Sequence, residues 1–269
     1  MNWKQTLFWS FSAAAIFYYF LLFGVFVFVG QEEMQLFIPE WWYIREFLFQ
    51  PGGFCAVAGQ WIIQYYRQPM SAVVLHTVLL VGCGFMVYRI LRCFSDKTYL
   101  LFLSLLPVLY LVKMSIHGEY LVDGTVGVVL MLLALSVSLK VRRAGSIAGY
   151  GIASTLFLCG LTGLLSVCYA FLYTLLALLR YKTSRQRLAA SACLIPALFI
   201  YLFSGWLGIP VPLSDGWMPE AYLEIQRLPH YYMYRVWTFF TLSIVGVALF
   251  ARFVPVIGEK SKWMDRVAL

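Results

Sequence analysis

Eight apolar runs of near membrane-crossing length dominate this sequence. A helix needs about 20 residues to cross a bilayer core, and on that criterion the predicted spans are 7–30, 70–91, 98–116, 124–140, 147–161, 163–180, 188–207 and 234–254. Of the 269 residues, 62% are hydrophobic and 12% are charged, whereas soluble domains carry about 25% charged residues. We therefore expect an all-α fold, a polytopic membrane helical bundle of about eight transmembrane helices that forms one integral membrane domain over 1–269.

The distribution of charge predicts the orientation of this bundle. With eight crossings, fifteen of the twenty Lys and Arg residues fall on one face and nine of the twelve acids on the other. Short basic loops stay in the cytoplasm, so both termini are predicted to lie on the cytoplasmic side of a bacterial cytoplasmic (inner) membrane. Topology thus explains the net charge of +8, and basic residues spread over several short loops indicate no nucleic-acid partner. The first run is too long for a cleavable signal and is expected to remain as an anchor.

The apolar run over 146–179 has to cross an even number of times, because basic residues flank both of its ends. As one helix its 34 residues would extend about 51 Å, at about 1.5 Å per residue, which is too long for one span. A hairpin of two short helices, broken near the glycines of 159–163, satisfies both requirements.

The stretch 31–69, between the first two spans, is too aromatic for a solvated loop and too charged to cross a bilayer. Apolar residues at helical spacing predict two helices, 34–49 and 54–66, separated by Pro51-Gly52-Gly53. We expect this pair to lie in the membrane plane at the outer face. The Pro- and Tyr-rich segment 208–233 is predicted to form an irregular outer cap.

Acidic side chains at the predicted outer face are the candidate catalytic residues. Glu32 and Glu33 end the first span, and His117, Glu119 and Asp123 form a polar cluster between the third and fourth spans. If these spans are neighbours, the two groups converge on one outer-leaflet cavity. A carboxylate there could act as a general base toward a hydroxyl, or hold a divalent cation against a phosphate. The alternative is that all are ordinary solvated loop charges.

Three basic residues could contact the phosphate of an anionic lipid: Arg45, Lys113 and Arg235. Alternatively, Lys113 snorkels from the end of a span and Arg235 is an interfacial anchor. His76, inside the second span, is either a functional group or a neutral histidine bonded to a neighbouring carbonyl.

Common nucleotide, metalloprotease and hydrolase motifs are absent from the sequence. The predicted spans contain almost no ionisable residues. This pattern disfavours a proton-driven transporter and places any chemistry at the outer face.

The order of segments over roughly residues 1–140 resembles the core of the GT-C class of membrane glycosyltransferases: one span, an acidic pair, two aromatic helices, a second span and a second acidic outer loop. The resemblance implies a polyprenyl-phosphate-linked sugar donor bound from the outer leaflet. It places Glu32 or Glu33 at the first-loop acid and Glu119 or Asp123 at the second. The chain has Glu-Glu where the class usually has an Asp-centred signature.

The phrase FLFQPGGFCAVAGQWIIQYYRQP also resembles uncharacterised multi-pass inner-membrane proteins of Bacteroidota, which have a PGG-type break after the first span. That resemblance implies no activity. Two hypotheses follow for the chain, which in either case contacts membrane lipids. It is a glycosyltransferase that uses a lipid-linked sugar, or a non-catalytic subunit that binds other membrane-protein subunits of an export or envelope-biogenesis complex.

Overall fold

A computed structural model describes residues 3–34, 37–95, 97–117, 120–203 and 228–257. These ranges are mainly helical, and no strand occurs in them. The helices are α1 (Trp3–Phe23), α2 (Val25–Met34), α3 (Trp41–Leu48), α4 (Gly53–Ile63), α5 (Pro69–Leu91), α6 (Leu100–Met114), α7 (Val122–Ser138), α8 (Ala144–Thr162), α9 (Leu165–Arg180), α10 (Ser184–Ser191), α11 (Leu194–Leu202) and α12 (Leu228–Ile257), with a 3₁₀ turn at Gln64–Arg67.

Within the described ranges, three helices are long and apolar enough to cross a membrane: α1, α5 and α8. Shorter apolar helices are α6, α7, α9 and the Val236–Arg252 part of α12. The all-helical class predicted from the sequence is therefore confirmed, and the three long apolar helices support the prediction of a membrane protein. The count of eight crossings stays a prediction.

Helix α5 lies at the centre of the first half of the bundle, packed against α1, α6 and α7. Its buried face includes Val73, Leu80 and Cys83. A Cβ built on Gly84 would lie 2.9 Å from the ring of Trp9, so the missing side chain lets α1 approach α5 closely. Helices α8, α10 and α11 pack around α9, and α12 lies against both α6 and α9.

The predicted first span, 7–30, is interrupted in the structure at Gly24. Helical hydrogen bonds continue across it, from Gly24 N–H to Phe20 O at 2.8 Å and from Phe28 N–H to Gly24 O at 3.0 Å. A Cβ on Gly24 would lie 2.8 Å from the Phe28 ring. The predicted span 188–207 corresponds to two helices, α10 and α11, that meet at Ala192–Cys193.

Helix α4 has its most extensive packing with α7. It packs antiparallel against the first turns of α7, because Gly59 lies against Asp123 and Cys55 lies near Gly127. Gly53, Cys55, Gly59 and Ile63 are its buried residues, and small residues at such spacing allow two helices to approach closely. Helix α3 packs on α4 and has no buried residue. Most of the predicted cap, 208–233, lies outside the described residues.

The two glycine-rich breaks of the sequence contact each other. The N–H of Gly52 donates to the carbonyl of Gly160 at 3.1 Å, and Gly52 and Gly163 both have positive φ, 84° and 62°. Glycine alone adopts these conformations without steric cost. The turn between α3 and α4 is therefore seated on the turn between α8 and α9, and the predicted break near 159–163 occurs at Gly163.

Candidate functional site

The acidic pair of the first segment lies in the last turn of α2. Glu32 is half-buried and Glu33 is exposed. The preceding residue, Gln31, is 2% exposed, and its Nε2 donates to the carbonyl oxygen of Tyr120 at 2.9 Å. Since Tyr120 belongs to the segment before α7, this bond joins the acid-bearing turn to the second polar segment. The sequence indicates no role for Gln31; the only sign of one is its position beside two carboxylates.

The second polar segment is partly described by the structure. His117 is exposed, Asp123 is half-buried, and Glu119 lies outside the described residues. Tyr120 is buried, and its hydroxyl accepts a hydrogen bond from Thr125 Oγ1 at 3.2 Å. Burial raises the pKa of Tyr120 above its usual value, so this hydroxyl stays protonated. Tyr120 therefore links the segment before α7 to Gln31 through its carbonyl and to Thr125 through its hydroxyl.

Asp123 lies in the first turn of α7, where a negative charge is favoured by the helix dipole. Its Oδ1 accepts the N–H of Gly124 at 2.6 Å, and its Cβ lies 2.7 Å from the position of a Cβ on Gly59. Burial, with a smaller contribution from the Asp123 carboxylate, raises the pKa of Cys55 to about 12. Cys55 is therefore a neutral thiol at physiological pH and not an activated nucleophile.

The candidate phosphate-binding residues are distributed over three helices. Lys113 is exposed in the last turn of α6. Arg45 is exposed on α3, with its guanidinium carbon 5.6 Å from the centroid of the Phe49 ring. Arg235 belongs to α12, but its side chain lies outside the described part of the structure.

Two open grooves flank the α3–α4 hairpin. One, of about 370 Å³, lies on α3 and is lined by Trp41, Trp42, Arg45, Glu46 and Phe49. The other, of about 480 Å³, lies between the end of α4 and the start of α5; its lining residues are Trp61, Ile62, Tyr65, Met70, Ser71, Val74 and Leu75. Both are mostly apolar and aromatic, which suits lipid chains more than a soluble substrate.

His76 lies inside the bundle and is 1% exposed. Its Nε2 lies 2.5 Å from the hydroxyl of Tyr66, and its ring stacks on Phe28 at 4.2 Å with an interplanar angle of 10°. Its Nδ1 is buried with no hydrogen-bond partner. The expected carbonyl partner is therefore replaced by a tyrosine hydroxyl from the 3₁₀ turn.

Among the described residues, no group of three His, Cys, Asp or Glu side chains could hold a metal ion. Since Glu119 is not described, the divalent cation stays a prediction. The carboxylates of Glu32 and Glu33 and the imidazole of His117 are at the surface of the described structure, where a substrate could reach them.

Comparison with known proteins identifies a family and no function. The model of a family of unknown function (DUF6057) matches the chain over residues 1–266. No curated protein and no solved structure matches it.

Proposed function

The chain belongs to the DUF6057 family, and because that family has no assigned function, we propose one from the residues: a membrane-embedded transferase that moves a sugar from a polyprenyl-phosphate carrier to an acceptor at the outer face of the bacterial cytoplasmic membrane. The proposal rests on the outer-face acids and on the order of segments that resembles the GT-C class.

The observation that carries the proposal is the hydrogen bond from Gln31 to the carbonyl of Tyr120, 2.9 Å long and buried. It holds the turn with Glu32 and Glu33 to the segment that bears His117 and Asp123. A reaction centre built from two segments needs those segments to be held together, and this contact supports the proposal because it joins the two segments that bear the candidate acids.

In the proposed reaction, the acceptor hydroxyl oxygen forms a bond to the anomeric carbon as the bond from that carbon to the phosphate oxygen breaks. The hydroxyl proton passes to the carboxylate of Glu33, which is exposed, and polyprenyl phosphate leaves. Glu32, His117, Glu119 and Asp123 form the polar wall of the site. Lys113, Arg45 and Arg235 contact the phosphate, with or without a divalent cation.

The groove of about 480 Å³ beside α5 supports a polyprenyl donor. Its lining continues along α5 as a stripe of exposed apolar residues, Met70, Val74 and Val78, spaced four residues apart on one face of the helix. A long isoprenoid chain can follow this stripe while its phosphate remains at the level of the outer acids.

The test is transfer from a radiolabelled polyprenyl-phosphate hexose to extracted envelope acceptors by the purified protein. We expect the double variant Glu32→Gln/Glu33→Gln to lose at least about 100-fold in rate, the usual contribution of general base catalysis. The matched control is Glu40→Gln/Glu46→Gln, which removes two acids near α3 and should retain activity. Equal rates in both double variants would exclude Glu32 and Glu33 from the mechanism.

A second function, that of a non-catalytic subunit, is favoured by α3. This helix has no buried residue, and Trp41, Trp42 and Phe49 are 68%, 62% and 80% exposed. Exposed aromatic residues of this density are typical of interaction surfaces. If the chain is a subunit, mild-detergent purification should recover another membrane protein at fixed stoichiometry, and Trp41→Ser/Trp42→Ser should release it. The matched control, Trp61→Ser, should retain it.

A further inference from the structure

The second half of the chain carries a one-sided charge pattern that the outer-face proposal does not use. Between Asp123 and Asp215 the sequence has seven Lys and Arg residues and no Asp or Glu. All seven lie in the α7–α8 and α9–α10 connections or in the adjoining helix ends; they are Lys140, Arg142, Arg143, Arg180, Lys182, Arg185 and Arg187. We call this set the basic platform. None of its members pairs with a carboxylate in the described parts of the chain.

The basic platform is a fixed arrangement, because hydrogen bonds join its two connections. The hydroxyl of Tyr181 donates to the carbonyl of Val141 at 2.7 Å, and Nε2 of Gln186 donates to the carbonyl of Arg142, also at 2.7 Å. Nε of Arg187 donates to the carbonyl of Tyr181 at 2.8 Å. Charges on an ordered backbone bind an anion with a smaller loss of conformational entropy than charges on a mobile loop.

Two helix N-termini add partial positive charge to the same end of the bundle. Helices α8 and α10 begin after Arg143 and Thr183, and neither of these residues makes a side-chain capping bond. A Cβ on Gly145, in the first turn of α8, would meet no atom within 4 Å, so this turn is open to a ligand. Free N–H groups at helix starts reinforce anion binding by the neighbouring arginines.

We propose that the basic platform is a binding site for an anionic phospholipid, at the end of α7 opposite to Asp123. Apolar side chains border the charges: Val137, Leu178 and Leu188 are 51%, 41% and 75% exposed. Acyl chains would cover these side chains while the phosphates contact the arginines. A soluble anion would leave them uncovered, which favours a lipid as the ligand.

The test is lipid retention by the full chain, purified in neutral detergent, delipidated and measured by native mass spectrometry. The probes are cardiolipin, which has two phosphates, and phosphatidylcholine, which is zwitterionic. We expect retention of cardiolipin over phosphatidylcholine and a loss of about 25-fold in affinity in Arg142→Gln/Arg143→Gln, at about fivefold for each basic residue. The control Arg252→Gln, an exposed arginine of α12, should bind like wild type.

A second pair of variants separates a built site from bulk charge. Gln186→Leu keeps all seven charges but removes the bond to the Arg142 carbonyl, and should weaken cardiolipin binding about fivefold through loss of one fixed connection. Gln64→Leu, an exposed residue at the other end of the bundle, is its control. Wild-type affinity in Gln186→Leu would mean that cardiolipin binding depends only on the number of charges and not on a fixed site, which would overturn the proposal.

Two further outcomes would overturn it. One is equal retention of cardiolipin and phosphatidylcholine. The other is thermal stabilisation by inorganic pyrophosphate without cardiolipin retention, which would assign the site to a soluble anion. Arg142→Lys/Arg143→Lys keeps the charge that orients the chain but loses the bidentate guanidinium geometry. This lysine double variant should weaken cardiolipin binding, and it replaces the glutamine double variant in the test if the latter fails to fold.

Discussion

Gly59 of α4 lies directly against the backbone of Asp123 in α7: a Cβ built on this glycine would be 2.7 Å from the Asp123 Cβ and 2.9 Å from its Cα. No real side chain fits such a gap without moving the backbone. The contact places a helix that the sequence predicts at the membrane surface alongside a helix of the bundle. It also fixes the position of one candidate acid.

Replacement of Gly59 by alanine should therefore separate α4 from α7. We expect Gly59→Ala to lower stability by about 1–3 kcal/mol, the usual cost of overpacking. The measurement is the thermal unfolding midpoint of the detergent-solubilised protein. Gly149→Ala is the matched control, because a Cβ at Gly149, inside α8, meets nothing within 4 Å, and alanine improves helix propensity there. Equal midpoints for the two variants would contradict the close contact.

Tyr66→Phe should destabilise the bundle through His76. The substitution removes the 2.5 Å hydrogen bond to Nε2 and leaves both ring nitrogens of a buried histidine unbonded, since Nδ1 already has no partner. The expected loss is about 1–3 kcal/mol, measured by denaturant unfolding. Tyr65→Phe, on the exposed side of the same turn, should have no effect. A Tyr66→Phe protein as stable as wild type would show that the bond contributes nothing net.

Cys93 offers a direct test of orientation. It is the exposed cysteine among six unpaired ones, and it follows α5 at the face predicted to be cytoplasmic. A membrane-impermeant maleimide should label it only after cells are permeabilised, and Cys93→Ser should abolish that labelling. Full labelling of intact cells would reverse the predicted topology.

Cys55 should remain unreactive at mildly alkaline pH. Its pKa of about 12, against an ordinary value of 9.0, keeps it a thiol at pH 9 in the folded protein, whereas the unfolded chain ionises there. Alkylation by iodoacetamide at pH 9, followed by peptide mass spectrometry, should modify Cys93 and spare Cys55 until the protein is denatured. Asp123→Asn should leave Cys55 protected, since burial is the larger cause of the raised pKa. Rapid alkylation of Cys55 in that variant would show that the Asp123 charge is the larger cause.

The length and boundaries of an apolar run predicted a helix well where one run forms one helix. The second span, 70–91, corresponds to α5 at Pro69–Leu91, because the run is bounded by Pro69 and by a basic end. The break in 146–179 was also predictable, since its length and flanking charges required a hairpin.

The placement of α4 and the role of Gln31 could not be predicted in the same way. Each depends on a partner far along the chain: Gly59 meets Asp123, and Gln31 meets the Tyr120 carbonyl. In a sequence, a glycine inside an apolar helix looks the same whether it faces lipid or a neighbouring backbone. A glutamine beside two glutamates similarly looks solvated until packing buries it.

The contact between the Gly52 turn and Gly160 has a consequence for how the protein assembles during synthesis. The hairpin of α3 and α4 emerges from the ribosome about a hundred residues before the turn that it contacts. At a synthesis rate of about 5–20 residues per second, this delay is roughly 5–20 s. Helix α7 is made earlier and can already pack on α4, but the turn between α3 and α4 has no partner in the chain until α8 and α9 are inserted. The lipid surface or an assembly factor is therefore left to cover that turn during the delay.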